Sequence, residues 1–280
     1  MPLLTIEPDS LDQAARRDLD RRLVRYIAKT LAPVLPRVPA TPEMLPPFVR
    51  LAGADAVERG FGERGLYGFY IITALLLGPD WEHHPLYRGN FDKYLEASGF
   101  DEETRIAWAM HAVIDARKQL EAALPAMLDA ALASLNMRAQ SRTPEDIWVT
   151  FQQIAQARGV PAHQMLALFE EFETFFRSTH GLPSVQRERI CGYAALGYKV
   201  RNIPMPSPSE AIRGLSPHQL AQFNNSLLLA LIYGPSYPRN IFLGDLLGTV
   251  DDPAQPHIYQ QAMTRFLLAH RRAMPEAANG

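Results

Sequence analysis

The chain has 280 residues, of which 47% are hydrophobic, and it carries 28 Lys and Arg against 30 Asp and Glu. This apolar fraction is sufficient for a packed core and excludes a wholly disordered chain. A net charge of −2 gives no electrostatic footprint for nucleic acid, because such partners normally require a concentrated basic surface. We therefore expect a globular protein without a nucleic-acid partner.

Cysteine usage and the apolar stretches bear on the compartment. The single cysteine, Cys191, cannot form a disulfide within the chain, which favours a reducing compartment. The first residues lack the charged segment and apolar run of a signal peptide. The longest apolar stretch, Leu66 to Leu77, is shorter than the about 20 residues that span a bilayer. We expect a cytoplasmic protein with no membrane span.

The elements predicted in chain order are all helices. The first carries apolar residues at four-residue spacing from Leu19 to Leu31 and ends before Pro33. Four later helices begin with a hydroxyl at the N-cap and a proline at the first helical position: Thr41-Pro42, Thr143-Pro144, Ser207-Pro208 and Ser216-Pro217. Because no segment alternates like a strand, the sequence predicts an all-α, multi-helix bundle.

Two further helices have features that bear on function. Asp101 is expected to cap a long helix, which Pro125 should kink. A helix that ends at Gly181 contains Phe175 and Phe176, which cannot both face the core. Phe175 is therefore expected to be exposed, where an aromatic ring can anchor a partner.

The two halves of the chain contain a similar segment. Thr73–Trp81 and Leu229–Tyr237 are each an apolar helix stopped by Gly-Pro, with an aromatic residue two positions beyond the proline. Helices that are apolar on all sides belong inside a bundle, so we expect Trp81 and Tyr237 to fold back against them. A boundary near Gln140-Ser141 would give an N-terminal helical half, 1–140, and a C-terminal helical half, 141–280. Duplication, convergence and a single continuous domain all stay open.

Two segments carry residues that are typical of metal or cofactor sites. The loop Asp80–His84 offers carboxylate and imidazole ligands through Asp80, His83 and His84, but no helix supplies a His-x-x-x-His or Glu-x-x-His pair to complete a metal site. Gly60–Gly65 matches G-x-G-x-x-G, yet a helix rather than a strand is predicted before it. We expect no catalytic residues and no cofactor, with a metal-dependent enzyme that uses the Asp80–His84 loop as an alternative.

The N-terminal half resembles helical accessory proteins encoded beside spike and PAAR-type proteins of the bacterial type VI secretion system. The resemblance covers roughly residues 15 to 110 and lies in Leu19 to Leu31, Gly65-Leu66-Tyr67-Gly68-Phe69, Leu75-Leu76-Leu77-Gly78-Pro79-Asp80-Trp81 and Pro85. The second half matches only through Leu231-Ile232-Tyr233-Gly234-Pro235. The resemblance implies a chaperone or adaptor for a secreted toxin, or an immunity protein that binds one, and it supplies no catalytic residues.

The leading hypothesis is thus a non-enzymatic accessory factor that binds another protein, such as a secreted effector or spike component. Its binding surface is predicted at the two Gly-Pro corners, where aromatic residues and an arginine follow on irregular backbone. The candidate residues are Trp81, Leu86, Tyr87, Phe91, Tyr237, Arg239, Asn240 and Phe242.

Overall fold

Ten α-helices and no β-strand make up the part of the chain that the computed structural model describes, namely residues 8–136, 142–185, 200–201, 208–249 and 256–274. For residues 8–14, 64, 256 and 257 only the backbone is described. The predicted all-α fold is confirmed. The predicted boundary at Gln140-Ser141 and the single cysteine, Cys191, lie outside these ranges.

The helices follow in chain order. They are α1 (Pro8–Thr30), α2 (Leu45–Glu58), α3 (Arg64–Leu77), α4 (Asp92–Leu95), α5 (Glu102–Asn136), α6 (Pro144–Ala157), α7 (Ala162–Thr179), α8 (Pro217–Tyr233), α9 (Gly244–Leu247) and α10 (Pro256–Ala273). Short 3-10 helices lie at Leu35–Arg37, Pro42–Met44, Trp81–His83, Pro208–Ile212, Tyr237–Arg239 and Ile241–Leu243.

The chain divides into two compact units. Unit 1 comprises Met1–Glu121, Ser236–Gly248 and Arg272–Gly280, and unit 2 comprises Ala122–Pro235 and Thr249–Arg271. The boundary between Met1–Glu121 of unit 1 and Ala122–Pro235 of unit 2 falls within α5. Helix α5 itself continues through Pro125. Because proline has no N–H, the carbonyl four residues earlier, on Glu121, loses its helical partner at this turn.

Local sequence signals explain where several helices begin. Thr143 accepts the Asp146 N–H and the Asp146 carboxylate accepts the Thr143 N–H, a reciprocal cap that starts α6. Ser216 and Gln219 form the same arrangement at α8. The predicted cap of α5 is also confirmed, since the Thr104 N–H donates to Asp101 Oδ1 at 2.7 Å.

The two apolar helices, α3 and α8, are buried as predicted. They end alike: Gly78 has φ 101° and ψ 167°, Gly234 has φ 93° and ψ 158°, and each N–H donates to the carbonyl four residues earlier. A 3-10 helix then begins at Trp81 and at Tyr237. Trp81 is buried as expected, whereas Tyr237 is half-buried. A true duplication of the two halves stays a prediction.

Unit 2 is centred on aromatic side chains from α6, α7 and α8. The ring of Phe169 contacts Trp148, Phe151 and Phe223 at centroid distances of 5.1 to 5.7 Å. Phe176 is also buried, whereas Phe175 keeps 46% of its surface exposed. The predicted exposure of Phe175 is therefore confirmed.

Candidate functional site

Five charged side chains of unit 1 form a connected group at the first Gly-Pro corner. This corner cluster consists of Asp55, Arg59, Asp80, Glu82 and Arg239. Arg59 donates to Asp80 and to Glu82. Arg239 donates to both oxygens of Asp80, at 2.7 and 2.8 Å, and to both oxygens of Asp55, again at 2.7 and 2.8 Å. Three carboxylates thus surround two guanidinium groups, each of which bonds two carboxylates.

The cluster joins two segments of unit 1 that are far apart in sequence. Arg239 lies 159 residues after Asp80 and enters unit 1 on the segment Ser236–Gly248. Phe242 of the same segment packs on Phe48 of α2, with ring centroids 4.9 Å apart. Asp80 has a positive φ of 55°, a conformation that aspartate tolerates better than most residues. The segment that follows the second Gly-Pro corner is therefore a structural part of unit 1, whereas Gly234 and Pro235 belong to unit 2.

Tyr70 connects the corner cluster to α3. Its hydroxyl donates to Glu82 Oε1 at 3.1 Å. Burial, and then the neighbouring negative charge of Glu82, raise the pKa of Tyr70 far above its usual value, so the phenol stays a neutral donor. The second carboxylate oxygen of Glu82 is buried and has no hydrogen-bond partner in the described structure.

The Asp80–His84 loop does not have the geometry of a metal site. Its Asp80 and Glu82 oxygens bond to guanidinium groups, which compete with a cation. His83 is largely exposed and its Nδ1 lies 2.8 Å from Arg59 Nη1. His84 is buried and its Nδ1 accepts the Leu86 N–H at 3.1 Å. Among the residues whose side chains are described, no three His, Cys, Asp or Glu residues are grouped so that they could hold a metal ion.

The residues predicted to bind a partner are mostly part of the core. Five of them are buried: Trp81, Tyr87, Phe91, Asn240 and Phe242. The Trp81 ring has aromatic neighbours on four sides, namely Phe61, Phe69, Tyr70 and Phe91, at centroid distances of 5.5 to 6.1 Å. Leu86 and Tyr237 are half-buried, and Arg239 is about half-exposed but bonded to Asp55 and Asp80. The expectation that Tyr87, Phe91 and Phe242 are exposed is wrong, because each packs into the core of unit 1.

Of the glycines in the G-x-G-x-x-G match, Gly65 serves helix packing. Helix α2 precedes them, as expected, so the strand that a dinucleotide site requires is not there. A Cβ on Gly65 would come within 2.8 Å of Glu102 Oε1 and of Ile106 Cδ1. Glycine at this position therefore allows α3 to approach α5 closely.

Unit 1 also carries an exposed aromatic pair that is not among the residues predicted from the sequence. Phe100 and Trp108 contact each other with ring centroids 4.5 Å apart and an interplanar angle of 65°. Phe100 keeps 51% and Trp108 39% of its surface exposed. The signal was present, because Trp108 lies outside the apolar stripe of Ile106, Met110 and Val113 that faces the core of unit 1.

A cavity of about 270 Å³ lies between the segment from Arg59 to Leu66, α4 and the start of α5, and neither Phe100 nor Trp108 lines it. Its walls combine apolar groups with charges of both signs: Arg59, Gly60, Phe61, Leu66, Asp92, Leu95, Glu96, Glu102, Arg105 and Ile106. Trp108 lies outside the stripe that contains the cavity-lining Ile106, so the aromatic pair and the cavity are separate features. We call the surface that carries Phe100 and Trp108 the α4–α5 face.

Comparison with protein-family models, with curated proteins and with solved structures gives no match to this chain. Among the helices that the structure describes, none has the length and apolar character needed to cross a membrane.

Proposed function

We propose that this chain is a non-enzymatic accessory factor that binds another protein through the α4–α5 face. The observation that carries the proposal is the Phe100–Trp108 pair, two large aromatic rings that contact each other and stay about half-exposed. Tryptophan is enriched among the residues that dominate binding energy at protein interfaces. Trp108 keeps 39% of its surface exposed, which leaves its ring accessible to a partner.

The proposed role within the cell follows from the resemblance in the N-terminal half. A chaperone or adaptor of the type VI secretion system must hold a secreted effector or spike component and later release it. Such a partner requires a contact of moderate area, and a small exposed aromatic pair suits this better than an extended apolar surface.

The proposal is tested by partner capture with a double variant, Phe100→Ala/Trp108→Ala. Proteins retained by the wild-type chain from extracts of the source organism are identified, and the affinity of the purified partner is then measured for each variant. We expect the double variant to weaken binding by about tenfold or more, since truncating a hot spot costs at least 2 kcal/mol.

A matched control removes exposed apolar surface elsewhere on unit 1. Tyr26 on α1 and Leu51 on α2 are 47% and 54% exposed, and neither belongs to the α4–α5 face. The Tyr26→Ala/Leu51→Ala variant should bind the partner as the wild type does. Unchanged affinity in the Phe100→Ala/Trp108→Ala variant, at unchanged thermal stability, would overturn the proposal.

A further inference from the structure

The exposed part of helix α1 is strongly basic, although the chain as a whole is slightly acidic. Residues 16–29 contain six basic and two acidic side chains, a net charge of +4, whereas the whole chain has −2. All six basic residues are exposed: Arg16, Arg17, Arg21, Arg22, Arg25 and Lys29. Positive charge that is concentrated on one part of an otherwise acidic protein attracts anionic partners.

A groove of about 600 Å³ lies between this helix and α2. Its walls are Arg17, Asp20 and Arg21 of α1 and Pro46 and Arg50 of α2. Both helices also contribute apolar side chains to the core of unit 1, among them Leu23, Ile27, Phe48 and Val49. The charged groups are therefore carried by two elements that the core holds in place. We call this feature the α1–α2 groove.

Two of the three guanidinium groups in the α1–α2 groove are unpaired. The side chains of Arg17 and Arg50 form no ion pair and no hydrogen bond with any residue that the structure describes. Arg21, in contrast, donates through Nε to the Arg17 carbonyl at 3.3 Å, and its Nη2 lies 3.5 Å from Asp18 Oδ1. Three guanidinium groups against the one carboxylate of Asp20 leave the groove with a net charge of +2.

Asp20 adds a fixed hydrogen-bond acceptor to the groove. Its Oδ1 accepts the Tyr67 hydroxyl at 2.7 Å. Burial, and then this hydrogen bond, raise the pKa of Tyr67, so the phenol stays a neutral donor that holds the carboxylate in position. Because a carboxylate has about four acceptor sites, Asp20 can accept a further N–H from a ligand.

We propose that the α1–α2 groove binds an acidic segment of polypeptide, whose carboxylates bond to Arg17 and Arg50. Guanidinium groups recognise carboxylates in bidentate geometry, and backbone N–H groups of the segment can donate to Asp20. The volume of the groove lies within the roughly 300–1,000 Å³ of ligand pockets, so a short segment fits. This inference goes beyond the proposed function, since it adds a second binding surface with a chemically different ligand.

Nucleic acid and lipid suit the groove less well than polypeptide does. A nucleic-acid strand carries a negative charge about every 3.4 Å, and its phosphate groups offer no donor to Asp20. Asp18 and Asp20 would repel such a continuous row of charge, whereas the carboxylates of a polypeptide are separated by neutral backbone. The flat surface of a bilayer reaches only the rim of a groove.

The experiment titrates the peptide Gly-Glu-Glu-Leu-Glu-Glu-Gly-amide, which carries a neutral fluorophore at its N-terminus, with the full-length chain and follows fluorescence anisotropy. Its control peptide carries glutamine at the four glutamate positions, which keeps the shape and removes the charge. We expect saturable binding of the glutamate peptide that weakens as the salt concentration rises, and none of the glutamine peptide. Saturable binding of both peptides, or of neither, would overturn the inference.

Charge removal tests the groove itself. Arg17→Gln/Arg50→Gln should raise the dissociation constant of the glutamate peptide about three- to tenfold, as the loss of two exposed ion pairs implies. Arg25→Gln/Lys29→Gln removes the same charge from exposed positions of α1 outside the groove and should leave the constant within twofold of the wild-type value. Equal weakening by both variants would show a net-charge effect and overturn the inference.

The other occupants have distinct outcomes. An oligouridylate or a phosphatidylserine vesicle that binds more tightly than the glutamate peptide, and loses this binding in Arg17→Gln/Arg50→Gln, would claim the groove and overturn the inference. Dimers in sedimentation that disappear in the same variant would assign the groove to the acidic residues 92–103 of a second copy, with the same consequence. The proposed function is tested separately, because partner capture through Phe100 and Trp108 does not involve the groove.

Discussion

Replacing Arg117 by alanine is expected to lower the free energy of unfolding by about 3–5 kcal/mol, as removal of one partner from a buried ion pair does. The Arg117 side chain is 9% exposed. Its Nε donates to Glu121 at 2.7 Å, its Nη1 to the Leu76 carbonyl at 2.9 Å and its Nη2 to the Arg37 carbonyl at 2.7 Å. The substitution leaves all three acceptors without this donor.

The Leu76 contact explains why this arginine is structural. Leu76 lies in the last turn of α3, where carbonyl groups have no partner within the helix. Arg117 supplies that missing donor for the most apolar helix of unit 1. Desolvation by burial lowers the pKa of Arg117, and the hydrogen bond to Glu121 opposes this shift.

Urea unfolding followed by circular dichroism measures the effect. Lys118→Ala provides the control on the adjacent residue, because the Lys118–Asp115 pair is exposed on both sides and its loss should change stability by less than about 0.5 kcal/mol. If Arg117→Ala were no more destabilising than Lys118→Ala, the account of how α5 holds the end of α3 would be wrong.

Replacing Trp81 by alanine is expected to cost about 3–5 kcal/mol, as truncation of a large core residue does. The side chain is 2% exposed, and its ring contacts the four aromatic rings named above. The cavity left behind cannot close easily, because the surrounding rings come from different elements and are fixed by their own packing.

Trp108→Ala is the matched control for this prediction. It removes the same side chain from an exposed position of the same unit and should change the free energy of unfolding by less than about 1 kcal/mol. Comparable losses in the two variants would contradict the assignment of Trp81 to the core and of Trp108 to the surface.

The sequence predicts the helical framework because its signals are local. Hydroxyl and proline pairs begin α6 and α8, and glycine residues end α3 and α8, since each of these features acts within one turn. The buried character of α3 and α8 follows from composition alone. A further signal was visible but not used: Arg117 occupies a position in the apolar stripe of α5, where a charged residue indicates a buried partner.

The corner cluster was harder to predict because it is formed by residues that are far apart in sequence. Arg239 bonds Asp80 across 159 residues, and no periodicity relates the two positions. Irregular backbone after Gly78-Pro79 favoured exposure of Tyr87 and Phe91, yet both are buried in the core of unit 1. The location of the Phe100–Trp108 pair depends on the turn between α4 and α5, which the apolar pattern does not specify.

The most direct test of the α4–α5 face as a binding surface is photocrosslinking in the source organism. The photoreactive residue p-benzoylphenylalanine is placed at position 100, and in a second strain at position 26, where Tyr26 is exposed on α1. If the α4–α5 face is the binding surface, the residue at position 100 should crosslink to one abundant partner protein, and the residue at position 26 should not. Crosslinking of the captured partner from position 26 and not from position 100 would contradict it.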